Sequence, residues 1–193
     1  MKKLCLICIA LVLAGCGGGA FTRVESARVL VRSSMEVAAE GDWNRYTPNG
    51  AKHREMWTRH GVPLDLLVYF TGVADGMPLD DLAQRDKKTP RFSAGMTPED
   101  IVGLTETLLA GNGGQFELQS LAPATVSGGP GFRFDFHYTS RQEEVERAGT
   151  AVGTVVGGKL YMMMFVAPRG RYFDRGQPAA LRLMDSLRIV PSR

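Results

Sequence analysis

The stretch FRFDFHYT, residues 132–139, alternates without a break. In an extended chain Phe132, Phe134, Phe136 and Tyr138 point to one side, and Arg133, Asp135, His137 and Thr139 to the other, because successive strand side chains face opposite ways. A helix would scatter the four rings around its circumference. A strand with one dry and one wet face belongs in an antiparallel sheet, and its dry face has to be covered by a second layer. The neighbouring sequence extends that sheet. FELQSLAP (116–123) reads as a strand, and so does 143–156, most firmly from Val152 to Val156. Gly157-Gly158 permits the positive φ angles of a tight hairpin. KLYMMMFVA (159–167) then returns as a nearly continuous apolar strand, the pattern of a central strand buried on both faces.

The other elements are helices and shorter strands. TPED opens a helix: Thr97 caps it, Pro98 suits its first position, and Glu99 and Asp100 complement its positive end. Ile101, Leu104 and Leu108 share a face, joined partly by Leu109, and Gly111 stops the helix. A last helix is predicted from about Pro178 to Leu187, with Leu181, Met184 and Leu187 at helical spacing. RIVP follows as an edge strand stopped by Pro191. Residues 24–40 read as one or two strands ending at Gly41-Asp42, 47–63 as turn-rich, 64–72 as a strand, and 84–95 as an exposed polar loop. Residues 21–193 are therefore expected to form a single α+β domain, an antiparallel β-sheet flanked by helices.

The segment ahead of this domain has a different character. Met1-Lys2-Lys3 is a positive head, and Leu4 to Leu13 is an apolar run too short to span a bilayer as a helix. Together with a small-residue exit these describe an export signal, set apart from the fold. The formal net charge of +3 falls to about +1 without Lys2 and Lys3, too weak a balance to point to nucleic acid. Leu13-Ala14-Gly15-Cys16 resembles the lipobox of bacterial lipoproteins. The resemblance implies a diacylglyceryl group on the Cys16 thiol, cleavage after residue 15 and an acylated new amine. Two or more acyl chains anchor durably where one is marginal. Residues 16–20 would be the lipidated cysteine and a glycine-rich tether. Gly17, where an aspartate would favour inner-membrane retention, leans the resemblance toward an outer membrane, with the domain facing the periplasm. Cys5 and Cys8 match C-x-x-C but lie inside the apolar run, so Cys16 alone remains, already modified.

Several patterns suggest chemistry and then fail on context. Gly153 with Gly158-Lys159 matches G-x-x-x-x-G-K, but Leu160 stands where a phosphate loop needs Ser or Thr, and β-type runs flank the glycines. Asp75, Asp80 and Asp81 lack the spacing of a calcium loop and read as a solvated turn. A hydrolase would have to centre on His137 or His60 with nearby carboxylates. Asp135 and Ser140 lie close to His137 in sequence, yet no nucleophile-elbow pattern accompanies them. His53 and His60 sit among turns. Trp43, Tyr46, Trp57, Tyr69 and Phe70 are expected mostly in the core. The basic groups Arg85, Lys87, Lys88, Arg91 and Arg169, Arg171, Arg175 are diluted by Asp86 and Asp174 and read as solvated loops. No residue is assigned to catalysis, a cofactor or a metal.

GFRFDF, then GTAVGTVVGGKLYMMMFVAPRGRYF, then the final helix and DSLRIV resemble small bacterial lipoproteins whose fold is similar to the photosystem extrinsic protein PsbP and the mycobacterial LpqN group. The resemblance implies a PsbP-like α/β/α sandwich and a binding or assembly role. The expected function is thus a lipid-anchored envelope module that meets a protein partner or small ligand, with an envelope hydrolase or a structural spacer as alternatives.

Overall fold

The computed structural model describes residues 21–25, 27–80, 89–111, 113–141 and 144–190. The leader, Cys16 and its tether, Asp81 and the basic residues 85–88 lie outside the described residues. In chain order the elements are β1 (Thr22–Arg23), β2 (Ala27–Val31), β3 (Met35–Ala39), β4 (Asn44–Tyr46), β5 (Arg54–Thr58), β6 (Leu66–Val73), α1 (Pro98–Ala110), β7 (Gln115–Val126), β8 (Gly129–Thr139), β9 (Arg147–Val156), β10 (Lys159–Pro168), α2 (Arg171–Asp185) and β11 (Arg188–Ile189). Eight strands form one antiparallel sheet in the order β1-β4-β5-β6-β10-β9-β8-β7, and β11-β3-β2 form a small second sheet. This is the α+β architecture the alternating strand requires.

β10 lies between β6 and β9 and is buried on both sides, as its unbroken apolar run predicts. Tyr161, Met163, Phe165 and Ala167 enter one core, which the small sheet and α2 cover through Val31, Met35, Val37, Ala180 and Leu183. Leu160, Met162, Met164 and Val166 enter the other, beneath Ile101 and Leu104 of α1. A strand period of two is what divides one run between two cores. Gly157 and Gly158 take φ of 58° and 72° in the β9–β10 turn, so the phosphate-loop look-alike is a hairpin.

The ring-bearing face of β8 fits the small side chains of β9. Phe132, Phe134 and Phe136 pair in register with Gly153, Ala151 and Gly149. A Cβ on Gly149 would lie 2.2 Å from Phe136 Cζ, and one on Gly153 2.7 Å from Phe132 Cζ. The rings therefore lie across the neighbouring backbone, where only glycine leaves room. α1 stacks on this layer. Its start is a capping box in which Thr97 Oγ1 accepts from Asp100 N and Asp100 Oδ2 accepts from Thr97 N, with Gly111 as its C-cap.

Three expectations need correction. The span 47–63 is not all turns, because β5 runs through it between β4 and β6. Asn49-Gly50 and Gly61 bracket the strand rather than interrupt it, and His53, Glu55 and Trp57 alternate with Arg54, Met56 and Thr58. The last helix starts at Arg171 instead of Pro178, which lies inside it. Proline suggests a first helical position, but packing carries this helix a further two turns upstream. Phe173 stacks on Phe165 at 5.9 Å, and a Cβ on Gly176 would lie 2.5 Å from that same ring, so the helix rides close on β10. The strand expected over 143–156 begins at Arg147.

Candidate functional site

Four of the five first-half aromatics are buried, as expected, and Tyr46 is half-buried. Trp43, Trp57 and Tyr69 form a ladder with ring centroids 6.4 and 4.9 Å apart. Strand alternation puts Glu55 on the same face as Trp57, and register puts it opposite Tyr69. Its carboxylate is 1% exposed, accepts from Trp57 Nε1 at 2.7 Å and from Arg45 at 2.9 Å, and so stays paired. Burial pushes the Tyr69 phenol well above its ordinary pKa, and the Glu55 charge adds to the rise. The Tyr69 hydroxyl has no hydrogen-bond partner among the described residues.

A second buried carboxylate organises the β5–β6 loop. Asp65 is buried and accepts from Thr58 Oγ1, from the backbone N–H groups of Arg59 (2.9 Å) and His60 (3.1 Å), and from His60 Nδ1 (2.7 Å). Burial alone would raise its pKa. The hydrogen bonds from Thr58, His60 and Arg59 together outweigh burial and hold the carboxyl below its ordinary value. Thr58 Oγ1 also accepts from Gly61 N at 2.9 Å. The four groups close one loop on itself, so the His–Asp contact here is a clamp.

His137 stands on the polar face of β8, opposite Glu117 on β7, with Nδ1 3.8 Å from Glu146 Oε1. Gln115, Glu117, His137, Thr139 and Glu146 line an open cleft of 340 Å³. Arg169 donates to both oxygens of Glu146 at 2.9 Å, which ties the cleft to the start of α2. Asp135 stands beside His137 on the same face of β8, as expected, and accepts from Ser120 Oγ at 2.8 Å. A larger groove of 700 Å³ lies between the β7–β8 turn, the end of α2 and the small sheet, with Arg28, Thr125, Ser127, Asp185 and Arg188 on its walls. Two serines hold its walls together: Ser127 Oγ accepts from Ile189 N, and Ser186 Oγ accepts from Ala38 N, each at 2.9 Å.

The histidines are not gathered. His53 is buried with Nε2 3.2 Å from the Leu79 carbonyl oxygen, His60 lies beyond the other end of β5, and β8 is four strands away, about 19 Å at ~4.8 Å per strand. Asp75 accepts from Ala94 N, and Asp80 pairs with Arg54 at 3.1 Å. Among the described residues, no group of three or more His, Cys, Asp or Glu side chains is placed to hold a metal ion. Also among them, no helix is long and apolar enough to cross a membrane. The sequence flagged His137 but not Glu117 or Glu146. The bulge in β7 between Leu118 and Ser120 resets the register, and no residue type announces it.

No protein-family model and no curated protein matches the chain. Solved structures do. The solution structure of cyanobacterial PsbP (CyanoP) from Synechocystis sp. PCC 6803 superposes with a TM-score of 0.57 at 18% identity, over 92% of this chain and 99% of that one. LpqN of Mycobacterium tuberculosis, described as involved in cell envelope biogenesis, matches at 0.43 and 13% identity over 89% of this chain and 91% of its own. The Saccharomyces cerevisiae Ran-binding protein Mog1p matches at 0.45 and 10% identity over 90% and 97%. The first of these shows a PsbP-like fold for this chain.

Proposed function

We propose that this chain is an envelope lipoprotein, acylated at Cys16 and attached to the outer membrane facing the periplasm, whose PsbP-like domain is a non-catalytic binding or assembly module. One observation carries the reading: Leu13-Ala14-Gly15-Cys16 ends a short charged-then-apolar leader, and β1 of the described domain opens six residues further on, at Thr22. A thiol is the most easily alkylated nucleophile in such a segment, and Ala14 and Gly15 leave the backbone open to a peptidase.

The occupied polar groups support the binding role. His60 and Thr58 are committed to Asp65, and Glu146 is committed to Arg169. The serine-stapled groove between the β7–β8 turn and the small sheet is the surface offered to a protein partner or small ligand.

Growth with a palmitate analogue tests the anchor. The wild type is expected to take the label and fractionate with membranes, and Cys16→Ser to lose both. An unlabelled wild type that stays soluble would overturn the reading. Co-purification from detergent-solubilised envelope then identifies the partner. A comparison with Arg188→Glu, which reverses charge on the groove wall, is expected to weaken capture.

A further inference from the structure

We infer that the tip of the β7–β8 hairpin is clasped by an extended segment of a partner protein, which sets a carboxylate on one side of the tip and an apolar side chain on the other. The partner groove proposed above is taken as given and supplies the carboxylate's side.

The tip is thin and tied down. Val126 pairs with Gly129 across Ser127 and Gly128, whose φ angles of 54° and 80° make a two-residue turn. Gly129, Pro130 and Gly131 follow, so little side chain covers the backbone here, and a Cβ on Gly128 would meet nothing within 4 Å. Hydrogen bonds hold both flanks. Ser127 Oγ accepts from Ile189 N at 2.9 Å on one, and the Pro130 carbonyl accepts from Thr154 Oγ1 at 2.7 Å on the other. A surface fixed in advance loses little freedom on binding.

A recess lies on each side of the tip. Val126 faces the first core and Phe132 the second, so the two recesses open on opposite faces of the sheet. One is the 700 Å³ groove, which Ser127 and Gly128 line. The other is a notch of 260 Å³ at the start of α1, walled by Met96, Pro98, Ile101, Phe132 and Val155. Ile101 and Phe132 are buried and Met96 and Val155 half-buried, so the notch is apolar. From Gly128 on the groove to Gly131 on the notch is three residue steps, at most about 11 Å at ~3.6 Å each. An extended segment of roughly four residues bridges that distance.

Charge decides which recess takes which group. Arg188 lies opposite Glu36 in the small sheet, and Arg28 bonds the same carboxylate at 2.8 Å. Two guanidinium groups thus share one carboxylate. Asp185 is matched by Arg133 at 2.8 Å. The groove therefore keeps one net positive charge, on a wall where Arg188 is exposed. The notch has no charged side chain on its walls, and the exposed Glu99 and Asp100 stand beside it in the first turn of α1. They repel a carboxylate, so the acid belongs to Arg188 and the apolar anchor to the notch.

Phage-displayed random dodecapeptides, selected against the purified full-length protein, test this. Enriched sequences are expected to place Asp or Glu roughly three to five positions from Leu, Met or Phe. Fluorescein-labelled copies are then titrated by anisotropy. Arg188→Glu and Met96→Glu should each weaken binding about tenfold or more. Arg141→Glu makes the same charge change beyond the opposite end of β8 and should leave binding unchanged. Peptides with Lys in place of the acid should recover affinity for Arg188→Glu, which also shows that this variant is folded. Met96→Ala, with a smaller loss expected, serves if Met96→Glu does not fold. No enrichment, enriched sequences without the acid–apolar pair, or equal loss with Arg141→Glu overturns the clasp. Loss with Arg188→Glu alone, in peptides or in a co-purified envelope partner, keeps the groove and removes the clasp. A partner captured equally by all the variants removes both.

Discussion

Gly149→Ala probes the fit between β8 and β9 most directly. The added Cβ would lie 2.2, 2.5 and 2.7 Å from Phe136 Cζ, Cε2 and Cε1. Carbon atoms pack at about 3.5–4.0 Å, so the ring has to retreat by more than about 1 Å. It has little room. Phe136 is fully buried, with ring neighbours Phe116 at 5.1 Å, Phe134 at 5.6 Å and Tyr138 at 6.1 Å. Overpacking of this kind costs about 1–3 kcal/mol, and replacing a strand glycine by alanine returns roughly 0.5–1 kcal/mol of chain entropy. The expected net loss is about 1–2 kcal/mol, a fall of several degrees in Tm. Phe136→Ala alone is expected to cost about 3–5 kcal/mol. In the double variant the collision is gone. There the Gly149→Ala change should become neutral or mildly stabilising, and the two changes should couple by at least about 1 kcal/mol. Urea denaturation of the chain lacking residues 1–15 and carrying Cys16→Ser measures all four corners of the cycle. Additivity within about 0.5 kcal/mol would refute the argument that the ring occupies the space of the missing side chain.

Two further outcomes follow from the buried polar groups. The Asp65 carboxyl is held below the ordinary carboxylate pKa, so its stabilisation is fully present above the unfolded value near ~3.9 and fades as pH falls through the lower folded value. Asp65→Asn is accordingly expected to cost about 1–3 kcal/mol at pH 6 and progressively less below pH ~4, read from urea midpoints at the two pH values. A penalty that stays constant with pH would count against the clamp. Tyr69→Phe removes a buried hydroxyl that lacks a hydrogen-bond partner among the described residues, so its stability should be unchanged or raised by up to ~1–2 kcal/mol. A loss above ~1 kcal/mol in thermal melts would show that the hydroxyl is bonded.

Little of the candidate surface could be read along the chain. His137 was legible because it falls on the polar side of the ring alternation in β8, and alternation is local. Its neighbours Glu117 and Glu146 come from β7 and from the segment before β9, 20 residues away on one side and nine on the other, and a bulge in β7 resets the register just past Glu117. The groove is still less local, since its walls come from β2, the β7–β8 turn and the end of α2. Nor does sequence tell a clamp from a dyad. His60 and Asp65 look like acid–base chemistry until Thr58 and two backbone N–H groups are found on the same carboxylate.

By itself the sequence determined the β8–β10 antiparallel run, its hairpin, the capped start of α1 and the motif at Cys16. Each depends on a period, a cap or a peptide-sized motif spanning a few residues, and local stereochemistry sets all of these. Only the tertiary structure decided that β5 threads a turn-rich stretch, that α2 begins ahead of Pro178, and that β2, β3 and β11 make a separate sheet over the first core. Those outcomes depend on which apolar surface remains to be covered once the eight-stranded sheet exists. Phe165 draws Phe173 and Gly176 onto it, and Trp57 and Tyr69 hold β5 against β6. Burial of this kind is a property of the assembled layers, so it overrides the turn and proline signals that sequence presents.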